Sequence, residues 1–158
     1  MRNIVLTRID DRLIHGQVVT AWVKQTNANY ILIVDDPLTK DVFMQKVLRS
    51  AAPAGITVKV LGAADAAAFL LEEGGPDERI IILVKVPAAL ESLLDAGVKL
   101  PVIVLGGMGS KTGRKKFNRN VSASEEEVEC LKRLEQKGSA VQFQLVPDER
   151  PVPLAKIL

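Results

Sequence analysis

Asn3-Ile4-Val5-Leu6-Thr7-Arg8-Ile9-Asp10-Asp11-Arg12-Leu13-Ile14-His15-Gly16-Gln17-Val18 contains the change of pattern on which the reading of the chain turns. Residues 3–9 are mostly apolar and rich in β-branched side chains, which predicts a first strand. From Gly16 the spacing predicts a helix reaching Thr26. Between the two lie a pair of carboxylates, the guanidinium groups of Arg8 and Arg12, and the only histidine among 158 residues. In α/β chains the loops that follow strand C-termini gather helix N-termini and hold ligands. An Asp-Asp-Arg cluster is a poor end for a strand unless it faces solvent or a polar ligand, because unpaired buried charge is costly. These residues alone leave two readings of His15 open: a phosphoryl acceptor, or a half-buried or surface imidazole with no role.

Working outward, further Ile/Val-rich runs predict strands at Tyr30–Val34, Thr57–Leu61, Arg79–Lys85, Pro101–Leu105 and Ala140–Val146. They are nearly continuous in apolar residues, as expected for strands of a parallel sheet buried on both faces. Helical patterns fill the intervals at Gly16–Thr26, Thr39–Ala52, Ala63–Glu73, Pro87–Ala96 and Ser124–Lys137. Strand-helix alternation implies an α/β fold: a three-layer α/β/α sandwich around a mainly parallel sheet of about six to seven strands. Ser124 and Glu127 have capping-box spacing, and Gly97 and Gly138 suit helix ends. The tail Asp148–Pro153 is held extended by its prolines ahead of a short final turn. No repeat or linker divides the chain, so a single domain, 1–158, is expected.

Composition narrows the functions. The chain is 47% hydrophobic and 25% charged, as in ordinary globular proteins. A formal charge of +2 with 4% aromatics gives no footprint for nucleic acid. No run approaches the ~18 apolar residues of a membrane span, and the N-terminal run is too short for a signal peptide. A cytoplasmic protein is expected, with any membrane link made through a partner. The one cysteine, Cys130, allows no internal disulfide and reads as helix packing.

Four loops after strand ends carry polar or glycine residues: the His15 loop, Asp35-Asp36-Pro37, Lys85-Val86-Pro87 and Gly106–Gly113. In the last, Ser110 separates Gly109 from Lys111, which breaks the Walker spacing, and no Gly-x-Gly-x-x-Gly follows the first strand. The glycines are better explained by positive φ angles and close backbone approach. The run Arg114-Lys115-Lys116 with Arg119 reads as a solvated face or a docking patch. One histidine and one cysteine do not complete a zinc site. No Gly-x-Ser-x-Gly marks a hydrolase serine. A receiver-type Mg²⁺ site at Asp10-Asp11 would need an acceptor aspartate ending the third strand, where Leu61-Gly62-Ala63 stands instead.

The stretch Arg8–Val18 closely resembles the active-site loop of the IIB component of the bacterial sugar phosphotransferase system, in its mannose/fructose/sorbose family. The likeness continues through Trp22, Asp35-Asp36, Ala52-Pro53-x-Gly55, Gly106-Gly107-Met108 and Asn120-Val121-Ser122, and so spans essentially the whole chain. The resemblance implies a phosphotransferase that carries phosphoryl on His15 Nδ1, received from a phosphorylated IIA protein and passed to a sugar entering through membrane IIC and IID components. It implies that Arg12 holds the phosphoryl oxygens, and no cofactor or metal is expected. Because the sequence starts at the IIB motif, a separate IIA protein is expected.

Physical chemistry fits the transfer. A neutral imidazole keeps one ring nitrogen free to attack phosphorus, and phosphoryl transfer is mostly positioning and charge stabilisation. Amides at Gly16 and Gln17 can add donors at the helix start. Asp10 and Asp11 would repel phosphate, so one is expected to orient Arg12 or the loop backbone, or to fix the histidine tautomer. Asp36 and Gly107 are expected to support the site, and Arg8 either joins Arg12 or only ends the strand. The competing reading is a non-enzymatic anion-binding or regulatory domain built on the Gly106–Gly113 loop. The sugar and the oligomeric state are not legible.

Overall fold

The computed structural model describes all residues from Met1 to Leu158. Six strands run parallel: β1 (Ile4–Asp10), β2 (Tyr30–Val34), β3 (Thr57–Leu61), β4 (Ile80–Val84), β5 (Val102–Gly107) and β8 (Ala140–Phe143). A separate hairpin pairs β6 (Lys115–Lys116) with β7 (Ser122–Ala123), and β9 (Val152–Pro153) closes one edge of the main sheet antiparallel to β8. The order across the sheet is β3-β2-β4-β1-β5-β8-β9.

Helices α1 (Gly16–Thr26) and α2 (Val42–Ala51) cover one face; α3 (Ala63–Leu71), α4 (Pro87–Asp95) and α5 (Glu125–Gln136) cover the other. The alternation of strand side chains makes this possible. On β4, Ile80, Ile82 and Val84 pack with α3, α4 and α5, while Ile81 and Leu83 pack with α1 and α2. Both sides of a central strand are therefore core, which is why its sequence is an unbroken apolar run. Crossovers over α1 and α2 step toward the β3 edge and those over α3, α4 and α5 toward the β8 edge. That reversal gives the three-layer, mainly parallel sandwich expected from the sequence.

Local chemistry adjusts the expected boundaries. β3 is not buried on both faces: it is an edge strand, with Thr57 and Lys59 exposed. The expected helix from Thr39 is two pieces, a 3-10 turn at Pro37–Lys40 and then α2, because the Asp41 carboxylate accepts from Met44 N at 2.9 Å and starts a new helix. The last parallel strand stops at Phe143 rather than Val146, since the Gln144 and Leu145 carbonyls turn away to accept from Arg8. The tail is extended as expected; it becomes β9 and a final turn at Leu154–Lys156. The capping box at Ser124 and Glu127 forms in full. Cys130 of α5 is buried against Glu91 of α4, and burial pushes its thiol up to about 11, out of reactive range.

Replacing the fully buried Ile82 by Ala is expected to lower stability by ~2–5 kcal/mol, read as a lower urea midpoint at unchanged slope. A loss under about 1 kcal/mol would contradict a core shared by both faces of β4.

Candidate functional site

Strand β1 lies between β4 and β5, and those neighbours leave the sheet toward the opposite face from β1. Chains part above the end of β1, which is where open α/β sheets form their crevices. The β1–β5 register slips there, so that Asp10 pairs with Gly107 although Ile9 pairs with Leu105. The extra residue is Gly106 on β5, while Asp10 follows Arg8 by two along β1 and keeps its strand face; its side chain lies on the crevice floor, 0% exposed.

Five donors converge on that carboxylate. Oδ1 accepts from Arg12 N at 3.1 Å and Arg12 Nε at 3.0 Å. Oδ2 accepts from Arg12 Nη2 at 3.1 Å and Arg8 Nη2 at 3.3 Å, and lies 3.1 Å from His15 Nε2. Burial alone would raise the Asp10 pKa, but the hydrogen bonds from Arg12 and His15, with the Arg8 charge, hold it below the usual carboxylate range. With an ionised carboxylate opposite, Nε2 is the nitrogen that carries hydrogen, which leaves Nδ1 without that proton.

Arg8 is buried beneath this layer: it neither stands beside Arg12 on the open side nor merely ends the strand, but is paired internally. Its guanidinium donates to Gln144 O at 2.8 Å, Leu145 O at 3.0 Å and Asp10, and lies 5.3 Å from the Trp22 ring centroid. Trp22 Nε1 donates to the same Leu145 carbonyl at 3.0 Å. Burial lowers the Arg8 pKa and Asp10 opposes the shift; an arginine stays charged regardless. The spacing of Arg8 and Asp10, two apart on one strand face, was the signal for this pair.

Two glycines make room. A Cβ on Gly106 would overlap the Arg8 guanidinium, and one on Gly107 would sit 3.2 Å from both Arg12 Nη2 and Asp10 Oδ1. Close approach is the reason for these glycines, as expected; positive φ is not, since within Gly106–Gly113 only Gly113 adopts it, at +89°. Leu13 takes the left-handed region at φ +57° with its side chain buried, and Gly16 follows at +46°, so the loop is folded tightly between core contacts. His15 is the extended N-cap residue of α1. No side chain caps that helix and no acid lies in its first turn, so its leading amides face the crevice uncompensated. Above the floor, the His15 and Arg12 side chains are 22% and 48% exposed.

Asp11 points elsewhere. Its Oδ2 accepts from Gly109 N at 2.7 Å and Arg114 Nη1 at 3.2 Å. Arg114 also makes a two-pronged pair with Glu127 at 2.9 and 2.8 Å and donates to Gly109 O. The hydrogen-bonded Glu127 carboxylate holds the Arg114 pKa up against burial. The Arg114 side chain is 2% exposed, which corrects its assignment to a solvated basic run; Lys115 and Lys116 are exposed. The basic run concealed it, because neither partner is a near neighbour in sequence. Asp36 is not part of the His15 cluster: its Oδ1 accepts from Ala63 N at 2.8 Å, at the start of α3. The receiver-type reading has no support, since both aspartates of the loop are occupied by cations, and no metal-binding cluster of His, Cys, Asp and Glu forms.

The fold is a doubly wound α/β sheet with an imidazole, a carboxylate and two guanidinium groups gathered at its switch point. The chain belongs to the family described as the PTS system sorbose subfamily IIB component, which matches residues 4–158. It is 34% identical over 155 residues to the sorbose-specific EIIB component of Lacticaseibacillus casei, covering 98% of this chain and 94% of that one. It is 33% identical to the mannose-specific EIIAB component of Escherichia coli K12; there it covers 98% of this chain but 48% of the relative, about half its length. The crystal structure of the IIBSor domain of the Klebsiella pneumoniae sorbose permease superposes with a TM-score of 0.91 at 32% identity, covering 98% of this chain and 94% of that one. No helix is long and apolar enough to cross a membrane.

Asp10→Asn is expected to destabilise by ~3–5 kcal/mol in urea titrations at pH 7, because it leaves Arg8 buried without its counter-charge. A carboxyl held low in the fold contributes stability above its unfolded value near ~3.9 and loses it as pH falls through the lower folded value. The stability gap between wild type and Asp10→Asn should therefore narrow below about pH 4. An unchanged gap down to about pH 2 would contradict the ion cluster.

Proposed function

We propose that this chain is a phosphocarrier in which His15 Nδ1 accepts a phosphoryl group from the phosphohistidine of a IIA protein and passes it to a sugar entering through a membrane IIC/IID permease. The observation that carries the reading is the 3.1 Å contact between Asp10 Oδ2 and His15 Nε2. It commits Nε2 to carry hydrogen and leaves the Nδ1 lone pair as the nucleophile. As the Nδ1–P bond forms, the donor's N–P bond breaks. The Nε2 hydrogen stays on the ring, where the Asp10 carboxylate balances the positive charge that phosphorylation places on the imidazole.

Arg12 takes the phosphoryl oxygens in this reading. The same carboxylate orients it from three donor atoms, while its partly exposed side chain keeps other edges free. The unpaired amides at Gly16 and Gln17 add donors at the helix start. Gly107 supports the site by letting Arg12 and Asp10 meet against its backbone, Asp11 by holding the Gly109 turn through Arg114, and Asp36 only at a distance, by fixing α3. The anion-binding alternative is disfavoured, since Gly109 N is occupied by Asp11 and Arg114 by Glu127. A cytoplasmic location and a single phosphotransferase domain over 1–158 follow from the same reading.

Intact-mass spectrometry at neutral pH, after incubation with a phosphorylated IIA protein of a sorbose- or mannose-type system, should add one phosphoryl to wild type and none to His15→Ala. Arg12→Ala should slow labelling on the order of 10²-fold, the usual cost of losing one preorganised donor. Equal labelling of wild type and His15→Ala would overturn the assignment.

A further inference from the structure

Seven large apolar side chains stand exposed on the molecule, and four of them, Val42, Phe43, Met44 and Val47, belong to α2. Phe43 is 74% exposed, and Val47 lies one turn further along the same outward side. The inner side of the helix is accounted for by buried Leu48 and by Gln45, which donates to Leu38 O. Lys40, Lys46 and Arg49 are exposed around the apolar group, and none of them forms an ion pair. The three acids of the same segment, Asp35, Asp36 and Asp41, are each engaged by a backbone amide, of Leu38, Ala63 and Met44. The outward surface is thus an aromatic-led apolar ridge flanked by three free cations.

We propose that α2 is a membrane-contact helix that rests on anionic lipid headgroups, with Phe43 and Val47 dipping into the interface and Lys40, Lys46 and Arg49 facing lipid phosphates. The distribution is that of an interfacial amphipathic helix. Four side chains on one convex helix offer roughly 300–400 Å² of apolar surface, about the size of the largest patch on an ordinary monomer. That is well below the ~800 Å² per partner of a stable protein interface. A second copy of the chain would bring like charges together around the ridge. The start of α2 lies at the sheet edge where His15 also sits, since both follow strand C-termini. A helix resting on lipid would hold that edge beside the membrane. The proposal does not rest on the phosphocarrier reading.

The test is flotation of the full chain with vesicles of equal parts phosphatidylcholine and phosphatidylglycerol, against phosphatidylcholine alone. Wild type should float with the anionic vesicles only, and less as ionic strength rises. Lys46→Glu should weaken binding roughly tenfold or more, because each cation near an anionic surface is worth about fivefold. Phe43→Ser, at an exposed position that leaves the core intact, should also abolish flotation, while Val102→Ser, an exposed residue of β5, should not. Failure of wild type to float would overturn the proposal. So would binding that survives both α2 substitutions, which would move the contact to another surface such as the Lys115-Lys116 hairpin. A concentration-dependent dimer abolished by Phe43→Ser, with no flotation of wild type, would make the ridge an interface between copies and would equally overturn it.

Discussion

A buried carboxylate that satisfies an arginine below it and an arginine and an imidazole above it is the constraint around which the molecule is arranged. Asp10 has no contact with water, so its charge is tolerable only because five donors surround it. Arg8 depends on Asp10 in the same way and draws its remaining acceptors from Gln144 and Leu145, more than 130 residues away in sequence. Through that link the end of β8 is shaped by a side chain of β1, and Trp22 of α1 uses the same Leu145 carbonyl. The ion cluster therefore fastens strand β1, helix α1 and the chain after β8 at one point, directly beneath His15.

The fold makes the cluster possible. A crevice opens above β1 because its neighbours depart toward the other face, and strand alternation sets Asp10 on the same face as Arg8 while β5 bulges at Gly106 beside them. Gly106 and Gly107 leave the space that two guanidinium groups fill. A second ionic knot, Asp11 with Arg114 and Glu127, holds the Gly109 turn by tying it to the first turn of α5. The contacts that hold His15 and Arg12 in place are thus the ones that hold the fold. A functional substitution at Asp10 cannot leave the scaffold untouched.

Much of this was legible in the sequence, for identifiable reasons. Buried parallel strands are read easily because burial on both faces removes the polar residues, and helix α5 announced itself through Ser124 and Glu127. The edge strand β3 was overread because Val58, Val60 and Leu61 made it look central, whereas exposure at Thr57 and Lys59 is set by its place in the sheet order. The motif from Arg8 to Val18 pointed to the loop in which the structure brings Asp10, Arg12 and His15 together. Which aspartate serves which partner depended on register, a long-range property that no local spacing encodes. Arg114 was hidden for a related reason: its partners lie 13 and 103 residues away. The β6–β7 hairpin is two residues per strand, too short for any periodicity to register.

On the proposed reading Asp10 fixes the His15 ring with hydrogen on Nε2 and leaves Nδ1 free. Long-range ¹H–¹⁵N correlation spectra of the ¹⁵N-histidine-labelled protein report this directly, since the chain has one histidine and no assignment ambiguity. With the imidazole neutral, the Nε2–H tautomer is expected in wild type and a mixture of tautomers in Asp10→Ala. A wild-type ring carrying its hydrogen on Nδ1 would contradict it.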